Sequence, residues 1–262
     1  MGEARPIGIF DSGVGGLTVL KAFKDVYPGE NYIYFGDTAR VPYGTKSERT
    51  VIKYSIENSR LLERFNVKLI VVACNTSSSV ALDILNREFD VPVIGVVKPG
   101  AIAAVKTTRS KNVGVIGTEA TINSGSYRRE ILSIDPFINI FEKPCPLFVP
   151  LIEEGWIDDN ITFEVAKRYL SFFKDKNIDT LVLGCTHYPL IKNLIQKVLE
   201  GVSLVDSAEE TVKMTANIMN GNLKKDGEGK VKILVSDLNS RFEKIAEMIM
   251  GDNFQIEEIS LE

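Results

Sequence analysis

The sequence predicts an α/β protein of two similar lobes, each a mainly parallel sheet flanked by helices, with the active site in the cleft between them. Two observations carry that expectation. Apolar runs of four to six residues alternate with longer segments of helical period, the pattern of parallel strands joined by helical crossovers. The chain also repeats itself weakly. Slid against itself by 111 positions, Asn66-Val67 falls on Asn177-Ile178, Cys74 on Cys185, and Asn75-Thr76 on Thr186-His187. In roughly the same register the opening Ile-Gly-Ile-Phe-Asp-Ser-Gly resembles Val-Gly-Val-Ile-Gly-Thr from Val113. Each cysteine follows an apolar strand. Ligands of open parallel sheets bind beyond the carboxyl ends of the strands, so two facing lobes bring both cysteines to one cleft.

Taken in order, the predicted strands are Ile7 to Phe10, Tyr32 to Phe35, Leu69 to Ala73, Val93 to Gly95, Val113 to Ile116, Ile138 to Phe141, Thr180 to Leu183, Ser203 to Val205 and Lys232 to Val235. Helices fill the gaps. Thr45 with Glu48 reads as a capping box ahead of Val51, Tyr54, Asn58, Leu61, Leu62 and Phe65 at near-helical spacing. Ser207 with Glu210 and Ser240 with Glu243 repeat the start signal, and Gly221 and Gly251 read as stops. The segment after about Asp206 has no partner in the duplication and is expected to return to the first lobe. On that reading residues 1–97 plus 210–262 form the first lobe and 98–209 the second.

Composition removes several function classes. The chain has 262 residues, a formal charge of -4 and no basic cluster denser than Lys224-Lys225, so neither nucleic acid nor a membrane surface is an expected partner. The longest apolar run, Leu69 to Cys74, falls far short of the roughly 20 residues that span a bilayer. The first residues, Met-Gly-Glu-Ala-Arg-Pro, lack the features of a signal peptide, which points to the cytoplasm. There the three cysteines stay thiols, and Cys145, between two prolines, reads as structural.

Two thiols in one cleft suit the inversion of a stereocentre, in which one group removes a proton from one face and another returns a proton to the opposite face. Asn75-Thr76-Ser77-Ser78 and Thr186-His187-Tyr188-Pro189 follow the cysteines where helices are expected to begin, offering hydroxyls and backbone N–H groups to a carboxylate. Cys185 and His187 are too few for a zinc site, and His187, the single histidine, fits better as an acid or base beside Cys185. Gly13-Val-Gly-Gly16 lacks the lysine of a P-loop and the spacing of a dinucleotide fingerprint. A sensor for an acidic amino acid and a dithiol redox protein are the alternatives from other classes.

Four motifs together resemble the aspartate/glutamate racemase family: Asp-Ser-Gly-Val-Gly-Gly-Leu-Thr at Asp11, Phe-Gly-Asp-Thr-Ala-Arg-Val-Pro-Tyr-Gly at Phe35, Ala-Cys-Asn-Thr at Ala73, and Gly-Cys-Thr-His-Tyr-Pro-Leu at Gly184. The resemblance implies that Cys74 and Cys185 exchange the roles of proton acceptor and donor. It implies that Asp11 assists Cys74, that Glu153 and His187 assist Cys185, and that Glu154 competes with Glu153 for the inward position. Substrate contacts would come from Asp11, Ser12, Tyr43, Gly44, Asn75, Thr76, Thr186 and His187, with Asp37 nearby. It further implies glutamate rather than aspartate as substrate, no metal or other cofactor, a homodimer, and supply of the D-enantiomer for peptidoglycan in a bacterial cytoplasm.

Overall fold

The computed structural model describes residues 5–251 and 254–260; Met1 to Ala4, read above for a signal sequence, lie outside the described residues. Ten strands appear among the described residues: β1 Ile7–Asp11, β2 Tyr32–Gly36, β3 Leu69–Val72, β4 Val93–Gly95, β5 Asn112–Gly117, β6 Asn139–Pro144, β7 Thr180–Gly184, β8 Ser203–Val205, β9 Val231–Val235 and β10 Ile256–Glu258. They form two sheets, ordered β10-β9-β2-β1-β3-β4 and β6-β5-β7-β8, in which every recorded pairing is parallel. The order β2-β1-β3-β4 recurs as β6-β5-β7-β8. The duplication is therefore one of topology, and it reaches backbone detail: Asn66 and Asn177, matched in the sequence, both adopt the left-handed conformation, at φ 52° and 50°.

Strand alternation explains the layers. Ile7, Ile9, Leu69, Val71 and Ala73 face the cluster beneath helices Leu17–Val26, Ala208–Ile218 and Ser240–Met250. Phe10, Ile70 and Val72 face the opposite cluster with Leu61, Leu62 and Leu85. In the second sheet Val113, Val115 and Val182 pack with Ala101 and Tyr127, while Ile116, Leu181 and Leu183 pack with Phe148 and Leu170. Helix Ala208–Ile218 packs on both Leu17–Val26 and Val97–Thr107, where the chain crosses between sheets.

All nine predicted strands are present. The tenth, β10, was not expected, because Ile-Glu-Glu at an exposed edge has no apolar run to mark it. Three caps differ by a residue or two from prediction. Thr45 is taken up in a 3-10 turn, so Ser47, the extended residue next to helix Glu48–Glu63, accepts from the Thr50 N–H at 3.3 Å. Ser207 is already helical in φ and ψ and cannot cap; Asp206 Oδ1 accepts from the Ala208 N–H at 2.8 Å in its place. Asn239, not Ser240, caps the last helix by accepting from the N–H groups of Arg241 and Phe242. Gly221 and Gly251 follow the helix ends as expected, at φ 73° and 75°.

Just before β3, which leads to Cys74, Lys68 Nζ lies 2.7 Å from Glu30 Oε2 with both side chains buried, and Glu30 Oε1 accepts from the Lys224 N–H at 2.8 Å. Losing the cation leaves a buried carboxylate without its counter-charge. Lys68→Met is expected to destabilise the protein by about 3–5 kcal/mol, and the pair replacement Lys68→Met with Glu30→Leu by less than that. Urea denaturation measures both; equal midpoints for the parent and Lys68→Met would refute the reading.

Candidate active site

The carboxyl ends of β3 and β7 place Cys74 and Cys185 on the wall of one small cavity, together with Ser12, Tyr43, Gly44, Asn75, Thr76, Thr186 and His187. Its free space is that of about a single water molecule. Cys74 caps the short helix Asn75–Val80, its carbonyl accepting from the Ser78 N–H at 2.8 Å, as expected. Cys185 departs from expectation. It leads into a 3-10 turn, Tyr188–Ile191, because Pro189 has no N–H to donate back to the Cys185 carbonyl; the Tyr188 N–H reaches that carbonyl at 3.1 Å instead.

Asp11 and Glu153 stand behind the cavity wall. Fully buried, Asp11 accepts from the N–H groups of Gly13 at 3.1 Å and Gly16 at 3.0 Å, and Oδ1 accepts from the Thr186 hydroxyl at 3.2 Å. Glu153 Oε1 lies 2.6 Å from His187 Nε2, and His187 Nδ1 lies 3.8 Å from Cys185 Sγ. Glu154 instead pairs with Arg241 at 2.9 Å, so Glu153 is the inward-facing member of the two. The Cys74 thiol donates toward Ser12 Oγ at 3.8 Å.

The surroundings of the two sulfurs differ. Burial, and after it the negative charge of Asp11, push the Cys74 thiol up to about 12, so it is protonated at neutral pH. Burial also raises the Asp11 carboxyl, against the opposing pull of His187 and of the hydrogen bonds from Gly13, Gly16 and Thr186. For His187 burial opposes the charged form, but the hydrogen bonds and charges of Cys185 and Glu153 outweigh it and hold the imidazole well above its ordinary value. The surroundings thus favour the imidazolium form of the ring beside Cys185, with Glu153 fixing its orientation.

Tyr43 and Gly44 reach the cavity through a buried network. The Tyr43 hydroxyl donates to Asp37 and accepts from Asn58 Nδ2 at 3.0 Å; Asp37 also binds Arg40 Nε and, at 3.1 Å, the Ser236 hydroxyl. Asp37 itself supports the wall without lining it. Gly44 marks the closest approach of the lobes here, since a Cβ at this position would lie 2.3 Å from the Cβ of Thr118. Thr118, Pro42 and Val149 also line the cavity and were not anticipated. Thr118 had a signal: it is the counterpart of Ser12 in the repeat. Its hydroxyl lies 2.9 Å from that of Thr76 and 3.0 Å from that of Thr121. Cys145 is buried under Tyr188, away from the cavity. Among the described residues no group of three His, Cys, Asp or Glu side chains gathers in a metal-binding arrangement, and no helix is long and apolar enough to cross a membrane.

Comparison with known proteins gives the family. The profile described as Asp/Glu/Hydantoin racemase matches residues 18–215. The glutamate racemase of Persephonella marina is 49% identical over 255 residues, 97% of each chain. Two solved structures each cover 98% of both chains: glutamate racemase from Francisella tularensis in complex with D-glutamate, with a TM-score of 0.92 at 42% identity, and glutamate racemase isoform RacE1 from Bacillus anthracis, with a TM-score of 0.94 at 37% identity. With its matching profile, its full-length relatives and two cysteines converging from duplicated strands, this chain belongs to the Asp/Glu/hydantoin racemase family of isomerases.

Proposed function

We propose that the chain is a cofactor-independent glutamate racemase that interconverts the L- and D-enantiomers by proton transfer between two thiols, Cys74 and Cys185. The observation that carries the reading is the convergence of these two cysteines, from separate sheets, on one small cavity walled by hydroxyl and amide groups of the kind that suit a carboxylate. Its relatives named glutamate racemase support the substrate.

In one direction the sulfur of one cysteine, as thiolate, takes the α-proton, and the thiol of the other delivers its own proton to the opposite face of the same carbon. Thiolate and thiol exchange places, so the next turnover in that direction requires the two protons to redistribute. Asp11 is the buried carboxylate within reach of Cys74 for that redistribution, and the His187 imidazolium serves Cys185. As the α-proton leaves, charge builds on the substrate carboxylate. Asn75, Thr76, Thr186 and Ser12, with the backbone N–H groups after each cysteine, are the donors available to offset it, while Tyr43 and Gly44 form part of the remaining wall of the substrate site. His187 would take part in both binding and proton transfer.

The two lobes are taken as residues 1–97 with 210–262, and residues 98–209. With room for only about one water, the cavity must open to admit an amino acid, and parting of the lobes is the motion this division supplies. The biological setting we infer is a homodimer in the bacterial cytoplasm that supplies D-glutamate to peptidoglycan.

The direct test is incubation with L-glutamate in D₂O in the presence of chelator, followed by optical rotation and by NMR of the α-proton. The expected result is inversion with one solvent deuterium at the α-carbon, abolished in Cys74→Ser and in Cys185→Ser. Retention of racemisation in either variant would sink the two-thiol mechanism, and turnover of aspartate or hydantoins in place of glutamate would move the substrate.

A second test uses pH. Against burial, Cys185 and Glu153 together raise the His187 pKa, so Glu153→Gln removes part of that support and lowers it. Where Cys185 delivers the proton and the imidazolium is the supporting acid, the alkaline limb of the kcat profile is expected to move to lower pH in this variant. The same pairing stabilises the fold fully below the unfolded histidine value near 6.5, and that contribution fades as pH rises through the raised folded value. Superimposable profiles for the parent and Glu153→Gln would remove Glu153 from the mechanism.

A further inference from the structure

Tyr127 lies in helix Ser126–Ile134 of the second lobe, outside the cavity wall, and is almost fully buried. Its hydroxyl crosses to the first lobe and donates to Asn75 Oδ1 at 2.6 Å. Its ring edge packs against the strand end that carries the other cysteine: a Cβ on Gly184 would sit 3.1 Å from Tyr127 Cε2. The same ring lies beside Gly100, where a Cβ would be 3.1 Å from the Tyr127 hydroxyl and 3.3 Å from the Cβ of Ser207, at the two segments where the chain passes between sheets. One side chain thus touches the residue after Cys74, the residue before Cys185 and the crossover region.

From this we propose that Tyr127 is a positioning residue for the racemase reaction, its hydroxyl fixing the Asn75 amide with its N–H donors toward the substrate while its ring sets the Gly184 strand end beneath Cys185. The inference rests on the two-thiol reading above. A primary amide has an accepting and a donating end, and rotation by 180° exchanges them. With Oδ1 held by the phenol, the Nδ2 donors are the end turned to the cavity that Asn75 lines. Without the phenol, the amide oxygen can turn toward the substrate carboxylate and repel it. Burial raises the Tyr127 phenol far above its ordinary value, so it remains a donor across the whole working pH range. Because the bond spans the two lobes, it forms only when they are together, and the amide is oriented in the closed state alone.

The test is a four-protein comparison: the parent, Tyr127→Phe, Asn75→Ala and the double variant. Phenylalanine keeps the ring against Gly184 and Gly100 and removes only the donor. Each protein is measured by steady-state racemisation in both directions and by calorimetric binding of D-glutamate. Tyr127→Phe is expected to melt within a few degrees of the parent, to lose about tenfold in kcat/KM in both directions and to bind D-glutamate about tenfold more weakly. In the Asn75→Ala background the same substitution is expected to change binding by less than about twofold, since no amide remains to be oriented. Parental constants in Tyr127→Phe, or equal losses in both backgrounds, would overturn the role through Asn75. A parent that neither racemises nor binds glutamate would overturn the two-thiol reading itself, and this inference with it.

Discussion

Parallel strand direction is the constraint on which the rest of the structure depends. In a parallel sheet every strand releases its chain at the same edge, so polar turns gather there and apolar residues fill both faces. Asp11-Ser12 leaves β1, Tyr43-Gly44 follows β2, and Cys74-Asn75-Thr76 leaves β3, all from one edge of the first sheet. Thr118 leaves β5 and Cys185-Thr186-His187 leaves β7 from the matching edge of the second. Setting these edges against each other produces a buried polar chamber between two apolar bodies. No single sheet offers two opposed faces to one carbon atom, and this arrangement does.

Two hydrogen bonds across the chamber show the symmetry of that construction and where it breaks. Thr76, after the first cysteine, meets Thr118 from the opposite lobe; Thr186, after the second, meets Asp11. In the repeat Asp11 corresponds to Gly117 and Ser12 to Thr118, so only the first lobe carries a carboxylate at the end of its first repeated strand. His187 likewise corresponds to Thr76, so only one side carries an imidazole. A lone carboxyl, Asp11, stands by Cys74, and an imidazole paired with a carboxylate stands by Cys185. In the proposed reaction this asymmetry gives two identical functional groups different neighbours, although the scaffold that holds them is duplicated.

Much of this was legible in the sequence because it depends on short-range pattern. Buried parallel strands such as Leu69–Val72 and Thr180–Gly184 are near-continuous apolar runs, and the cysteines announce themselves by recurring after such runs in register. The repeat also held the signal for Thr118, through its match to Ser12. What escaped depends on long-range packing. Neither Tyr127 nor Val149 belongs to a recurring motif; Tyr127 meets Asn75 of the opposite lobe, and Val149 reaches the cavity from its own helix. Glu153 and Glu154 are chemically identical neighbours, separated only by which faces His187 and which faces Arg241. The caps at Ser47, Asp206 and Asn239 slipped by a residue or two because propensity favours several adjacent polar residues and the φ and ψ of each decide between them. Strand β10 had no burial to imprint a pattern.

Closure and proton affinity are linked by the same contacts. Asp11 is raised by burial, Cys74 by burial and by Asp11, and His187 is held protonated by partners inside the closed chamber. Parting the lobes would break the Thr186–Asp11, Thr76–Thr118 and Tyr127–Asn75 hydrogen bonds and admit water to these groups. Water weakens each of the burial effects, because a high dielectric both solvates the charged forms and screens their neighbours. The thiol and carboxyl would then relax toward ordinary values, and the imidazolium would lose the close carboxylate field. In the proposed mechanism the proton affinities that suit transfer to and from carbon would therefore belong to the closed lobes, and a substrate that drew the lobes together would also complete the electrostatics that act on it.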